Sequence, residues 1–168
     1  MIVLGVDPGS QRTGYGAVET DGRRHQLLET GALAPPSRLL LPEKLRAIHA
    51  GVCALIERLH PHALAVEDCF HSANTRTALV LGHVRGVVLL AGAQAGVPVH
   101  EYPPATVKQQ VTGHGRAEKQ QVAFMVTRML ALPEEREPGD ATDALAVALC
   151  FACTHGRELS VVIAGSPR

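Results

Sequence analysis

Apolar positions along the chain fall into two rhythms, and each predicts a different kind of element. Residues 2 to 6 are a continuous apolar run closed by Asp7, the pattern of a short strand buried on both faces. "TGYGAVET" and "QLLETGALA" read as two further strands, and the Asp21-Gly22 pair between them is a hairpin signal. From Pro42 to about His60 the period changes to 3.6 residues. Leu45, Ile48, Val52, Leu55, Ile56 and Leu59 then share one stripe of a helix opened by proline. "ALAVED" is a fourth short strand, again ending in acid. Residues 74 to 95 are nearly all apolar, interrupted chiefly by Arg76, His83 and Arg85, which predicts a helix covered on more than one side, either by the sheet and a second subunit or wholly within the chain. "VPVHEY" is the fifth strand. A short helix carrying Lys108, a Gly-His-Gly loop, a helix with Val122, Met125, Val126, Met129 and Leu130 on one stripe, and a last helix from near Asp140 follow.

Three antiparallel strands followed by helix, strand, helix, strand and helices predict an α/β fold, a mixed five-stranded sheet with helices on its faces. A chain of 168 residues suits one domain that buries roughly 70% of its unfolded surface. We expect that domain over residues 1–156 and a weakly specified tail over residues 157–168. Hydrophobic residues make up 46% and charged residues 19%, which excludes a disordered chain, and with five aromatics the core must be aliphatic. The amino terminus has no basic leader pattern. No apolar run approaches the ~20 residues of a membrane span, the longest candidate being "ALAVALCFAC" after Asp143, so a cytoplasmic protein without a membrane contact is expected. Cys150 and Cys153 form a C-x-x-C followed by His155. The motif falls mid-helix among apolar residues without a second pair to complete a zinc site, so these thiols, with Cys53 and Cys69, read as small buried hydrophobes.

Formal net charge is zero, which at first argues against a nucleic-acid partner, but the distribution is uneven. Residues 1 to 69 hold seven Lys/Arg and eight Asp/Glu, residues 70 to 132 six and two, and residues 133 to 168 three and six. The middle of the chain can therefore form a basic face on a neutral molecule.

The acids raise a second question. Asp7 and Glu67 each close a buried strand, and if those strands are neighbours their carboxylates emerge side by side. Asp140 and Asp143, three apart at a helix start, point from one face of its first turn. Oxygen donors without His or Cys suit a hard divalent cation such as magnesium or manganese, and a pair of such ions suits phosphodiester displacement. Each residue also has an ordinary structural reading: Asp7 as a turn-maker before Pro8-Gly9, Glu67 as a solvated loop acid, Asp140 as an N-cap and Asp143 as a complement to the helix dipole. The coincidence of acids at the ends of two buried strands is what those readings leave unexplained.

"LGVDPGS" with "TGYG", "AVEDCF", "LGHVRGV", "EYPPATVKQQVTGHGRAEKQQV" and "DATDALAVAL" resemble, in the same order, the RuvC family of Holliday-junction resolvases across about residues 1 to 155. The resemblance implies a ribonuclease-H-like fold, a homodimer, and metal-dependent paired cuts at a four-way DNA junction. It implies the tetrad Asp7, Glu67, Asp140 and Asp143 as catalytic metal ligands for two Mg²⁺ ions, with Mn²⁺ as the alternative. It also implies the RuvA and RuvB branch-migration proteins as partners. Phe70, by residue type alone a core phenylalanine or a functional one, matches the family's aromatic that stacks at the crossover. Lys108 and Lys119 match basic positions near the scissile phosphates, where a lone lysine is otherwise an ordinary solvated residue. Arg76 and Arg116 belong to the same basic middle, and Arg116 lies beside a glycine-rich loop that allows close backbone approach to phosphate.

Competing readings are a nuclease of the same fold acting on another nucleic acid, an actin-like ATPase and a non-catalytic DNA-binding dimer. "GVDPGS" with "TGYG" resembles the ATPase phosphate hairpin, but that fold needs two lobes and this length holds one. Four clustered acids disfavour the binding-only dimer, because without a cation they would repel phosphate.

Overall fold

A computed structural model describes residues 1–68, 74–132 and 139–164, with side chains described as far as residue 156. The elements follow the two sequence rhythms: β1 (Ile2–Asp7), β2 (Thr13–Thr20), β3 (His25–Leu33), α1 (Leu41–Leu59), β4 (Ala63–Glu67), α2 (Thr75–Gln94), β5 (Val99–Tyr102), α3 (Pro104–Thr112), α4 (Lys119–Met129) and α5 (Asp140–Ala164). The hairpin between β2 and β3 turns at Gly22, whose φ of 89° is open to glycine without strain. The last helix continues past Gly156, where the sequence reading begins the tail.

All five strands join one sheet in the order β3-β2-β1-β4-β5. β1 pairs antiparallel with β2 and parallel with β4, so it is the central strand expected of a continuous apolar run. Alternation along the strands divides the core. Val3, Ala63, Ala65 and Tyr102 pack under Leu145, Leu149 and the inner faces of α3 and α4, whereas Leu4, Val6, Leu64 and Val66 pack against Ile48, Val52, Val84 and Val88 of α1 and α2.

Three glycines decide how closely α5 can lie on this sheet. A Cβ at Gly5 would overlap the Ala144 carbonyl oxygen, one at Gly14 the Asp140 carbonyl oxygen, and one at Gly16 the Leu145 side chain. The first turns of α5 therefore rest directly on the backbone of β1 and β2.

One expectation is corrected here. Among the described residues the 20-residue α2 contains an 18-residue window with a mean hydropathy of 1.4, so by length and composition alone it could cross a membrane, a test that the core helix of a soluble protein also passes. His83 and Arg85 interrupt the run, but the Val, Leu and Ala residues around them keep it apolar. Val84, Val88, Ala91 and Gly92 of α2 are buried, while Leu79 and Leu90 are 61% and 48% exposed.

Of the cysteines expected to be buried, Cys150 is buried, whereas Cys53 and Cys153 are half-buried. Cys53, Cys150 and Cys153 are free, and burial pushes the Cys150 thiol up to about 12 and raises that of Cys153. Cys69 lies outside the described residues.

Candidate active site

Strand geometry brings the acids together. β1 and β4 run parallel in register from Val3 opposite Ala63 to Val6 opposite Val66, so Asp7 and Glu67 end neighbouring strands at the same edge. Period-two alternation also puts both on the face that carries Val3, Ala63 and Ala65, which is the face under α5. The α5 first turn then delivers Asp143 to the same place, because Gly5 and Gly14 let it approach. Asp7, Glu67 and Asp143 line a cleft of about 370 Å³ together with Lys108 and Lys119, over apolar walls that include Leu81, Val107 and Val122.

The loop after Asp7 is rigid for a local reason. The fully buried Thr13 hydroxyl donates to the Gly9 carbonyl at 2.8 Å, closing the Pro8–Arg12 connection onto the start of β2. From that loop Arg12 Nε donates to Asp140 Oδ2 at 2.9 Å. Asp140 therefore stands beside the cleft, tied to Arg12, and does not line it. The sequence placed both helix acids on one face; in the structure they divide, with Asp143 turned inward and Asp140 held at the edge.

Electrostatics record the crowding of the acids. Burial, then the charges of Asp143 and Asp140, push Asp7 up to about 6, while a hydrogen bond with Glu67 works in the opposite direction. Burial and the Asp7 charge push Glu67 up to about 8, and the same hydrogen bond favours its protonated form. The hydrogen bond between them favours the proton on Glu67 and the charge on Asp7. Lys119 Nζ lies 3.1 Å from Asp143 Oδ2, and that contact raises the lysine's affinity for its proton.

An all-oxygen donor set that repels itself fits a hard divalent cation. With Asp7 and Glu67 turned onto each other and Asp143 onto Lys119, no three His, Cys, Asp or Glu side chains among the described residues stand as a ready-made coordinating group.

The family model described as crossover junction endodeoxyribonuclease RuvC matches residues 3–151. The chain belongs to the RuvC family. A RuvC of Desulforamulus reducens is 49% identical over 152 residues, covering 90% of this chain and 93% of that protein. The structure of Thermus thermophilus RuvC in complex with Holliday junction substrate superposes with a TM-score of 0.88 at 38% identity, covering 95% of this chain and 97% of that one. The yeast mitochondrial Holliday junction resolvase, 12% identical with a TM-score of 0.65, shares the fold alone. The ribonuclease-H-like architecture of the RuvC family is thus the fold of this chain.

The other residues singled out in the sequence are dispersed. Lys108 and Lys119 are in the cleft wall. Arg116 is exposed in the loop after Gly115, and Arg76 is exposed in the first turn of α2, so both stand outside the cleft lining. Phe70 lies outside the described residues. Sequence reasoning missed Arg12, Thr13 and the glycines at positions 5, 14 and 16. Gly14 and Gly16 are spaced by two on a strand, the signal of close backbone approach that could have revealed the seat of α5.

Proposed function

We propose that this RuvC-family chain is a metal-dependent endonuclease that resolves four-way DNA junctions by paired symmetric strand cuts in recombination and repair. The observation that carries this reading is the meeting of Asp7 and Glu67, from two neighbouring parallel strands, with Asp143 from the helix laid across them. Asp7, Glu67, Asp143 and, from the edge, Asp140 are the catalytic acids and would hold two Mg²⁺ ions, with Mn²⁺ as the alternative. When bound, such ions supply Lewis-acid chemistry, acidifying the attacking water and stabilising charge on the leaving 3′ oxygen.

The protein's own part is placement. Strand ends hold Asp7 and Glu67 within a narrow range of positions, and the apolar walls strengthen every charge interaction inside the cleft. Lys108 and Lys119 at the rim neutralise the scissile phosphate, and Lys119 exchanges its contact with Asp143 for one with DNA. Arg76 and Arg116 take phosphates further along the arms, and Phe70 stacks on an unpaired base at the crossover.

The outward stripe of α2 supports a homodimer. Leu79 and Leu90 are exposed, and between them Gly82 and Gly86 have open space where a Cβ would stand, so a second helix can approach closely. A two-fold dimer presents two clefts to two symmetric strands of a junction. Residues 1–156 form one nuclease domain in this reading, with residues 157–168 as its C-terminal tail, and the protein works in the cytoplasm with RuvA and RuvB.

The reading is tested by incubating the purified protein with a synthetic four-way junction, a linear duplex and an RNA:DNA hybrid, each with magnesium, manganese or a chelator. Paired, ligatable nicks confined to the junction and lost with chelator are expected. Equal cutting of duplex or hybrid would overturn the choice of substrate, and cutting in chelator would overturn the metal.

A further inference from the structure

Glu67 and Asp68 are adjacent in sequence, but strand alternation separates them. Glu67 faces α5 and the cleft, whereas Asp68 faces the opposite layer and meets Arg85 of α2, with Asp68 Oδ1 3.3 Å from the guanidinium. Glu101, on the same side of the neighbouring strand β5, pairs with the same guanidinium nitrogen. The Asp68 backbone N–H donates to the Tyr102 carbonyl at 2.9 Å, so the end of β4 is tied twice, once to β5 and once to α2.

We propose that Arg85 is a positioning residue for the reaction, clamping the strand end that carries Glu67 and linking it to the helix whose outer face is the dimer surface. Three observations bear on it. Arg85 sits on a largely apolar helix with one other arginine, and its buried Nε–H has no acceptor among the described residues. A charged group so placed contributes little to stability that a well-packed apolar side chain would not, so its value lies in specifying geometry. Asp68 and Glu101 are like charges on one face, and without the guanidinium between them they would push β4 and β5 apart at the level of Glu67. Finally, the clamp and Glu67 are consecutive on the backbone, so any splaying of Asp68 rotates the Glu67 side chain away from Asp7.

This inference rests on the reading of Glu67 as a metal-holding carboxylate, and its test keeps the two apart. Arg85→Met, Asp68→Asn, Glu67→Gln and, as a remote control, Arg58→Met are compared by the rise in melting temperature on titrating magnesium and by junction cleavage against magnesium concentration. Arg58→Met removes an ion pair with Glu29 on the α1 side, away from the cleft. Loss of an outer support typically weakens metal affinity by roughly 10- to 100-fold, so Arg85→Met and Asp68→Asn should move the magnesium midpoint up by about tenfold or more in both readouts. Arg58→Met should leave the midpoint unchanged. Should Arg85→Met fail to fold, Asp68→Asn, which keeps the Arg85–Glu101 pair, decides alone. Wild-type midpoints in Arg85→Met and Asp68→Asn, with Glu67→Gln losing the magnesium response, would overturn the clamp and leave the site standing. A wild-type magnesium response in Glu67→Gln would overturn the site reading itself.

Discussion

Asp7 and Glu67 hold more protons in the folded chain than in the unfolded one across mildly acid to neutral pH, because burial and mutual repulsion raise both above the ordinary carboxylate range. Folded-state proton binding in excess of the unfolded state means that their contribution to stability falls as pH rises from about 4 towards 8. The metal-free protein is therefore expected to melt at progressively lower temperature over that window. Glu67→Gln should flatten the fall and melt several degrees higher at pH 8, on the order of 2–4 °C for each kcal/mol relieved. Calorimetry with chelator present checks it; a mutant that melts lower than wild type at pH 8 would contradict the crowding of acids. The positions of Asp7 and Glu67 were legible in the sequence because both acids close buried strands, a coincidence that their separate readings as turn-maker and loop acid leave unexplained. The pairing of Asp143 with Lys119 and of Asp140 with Arg12 was not legible, since each joins residues far apart in the chain and is decided by how α5 seats on the sheet.

That seat is a property of elements. Strand and helix boundaries followed from apolar period, but the sequence reading passed over Gly5, Gly14 and Gly16 as part of the strands, and the approach of α5 depends on them. Gly14→Ala should overpack the contact with Asp140, destabilising by about 1–3 kcal/mol. It should also reduce cleavage more than junction binding, because Asp143 moves with the helix while the basic rim of α3 and α4 stays in place. Thermal melting, filter binding and cleavage on the same preparation measure the three quantities. Unchanged melting temperature and cleavage would show that the helix start is not seated as described. The exact pitch of α5 was illegible for a physical reason: close packing is set by the absence of side chains, and an absence leaves no mark in hydrophobic period.

At the scale of the whole molecule, α2 looks two ways. Its inner side carries Val84, Val88 and the Arg85 clamp, and its outer side carries Leu79, Leu90 and two open glycines. If this outer side is the proposed dimer surface, Leu90→Glu should place a charge in it, halve the mass seen by light scattering at micromolar concentration, and convert paired cuts into single nicks. A full-mass dimer with paired cutting would place the interface elsewhere. The apolar character of this helix was plain in the sequence, but its division into a packed side and an open side is fixed by how it lies against α1, β4 and β5. The central claim, that acids from two strand ends and a helix start form one cutting centre, is tested most directly by Asp7→Asn on a labelled four-way junction with magnesium. Junction affinity within about twofold of wild type with cleavage slowed by roughly 1,000-fold is predicted, since several kcal/mol of transition-state stabilisation are removed; cleavage near the wild-type rate would contradict it.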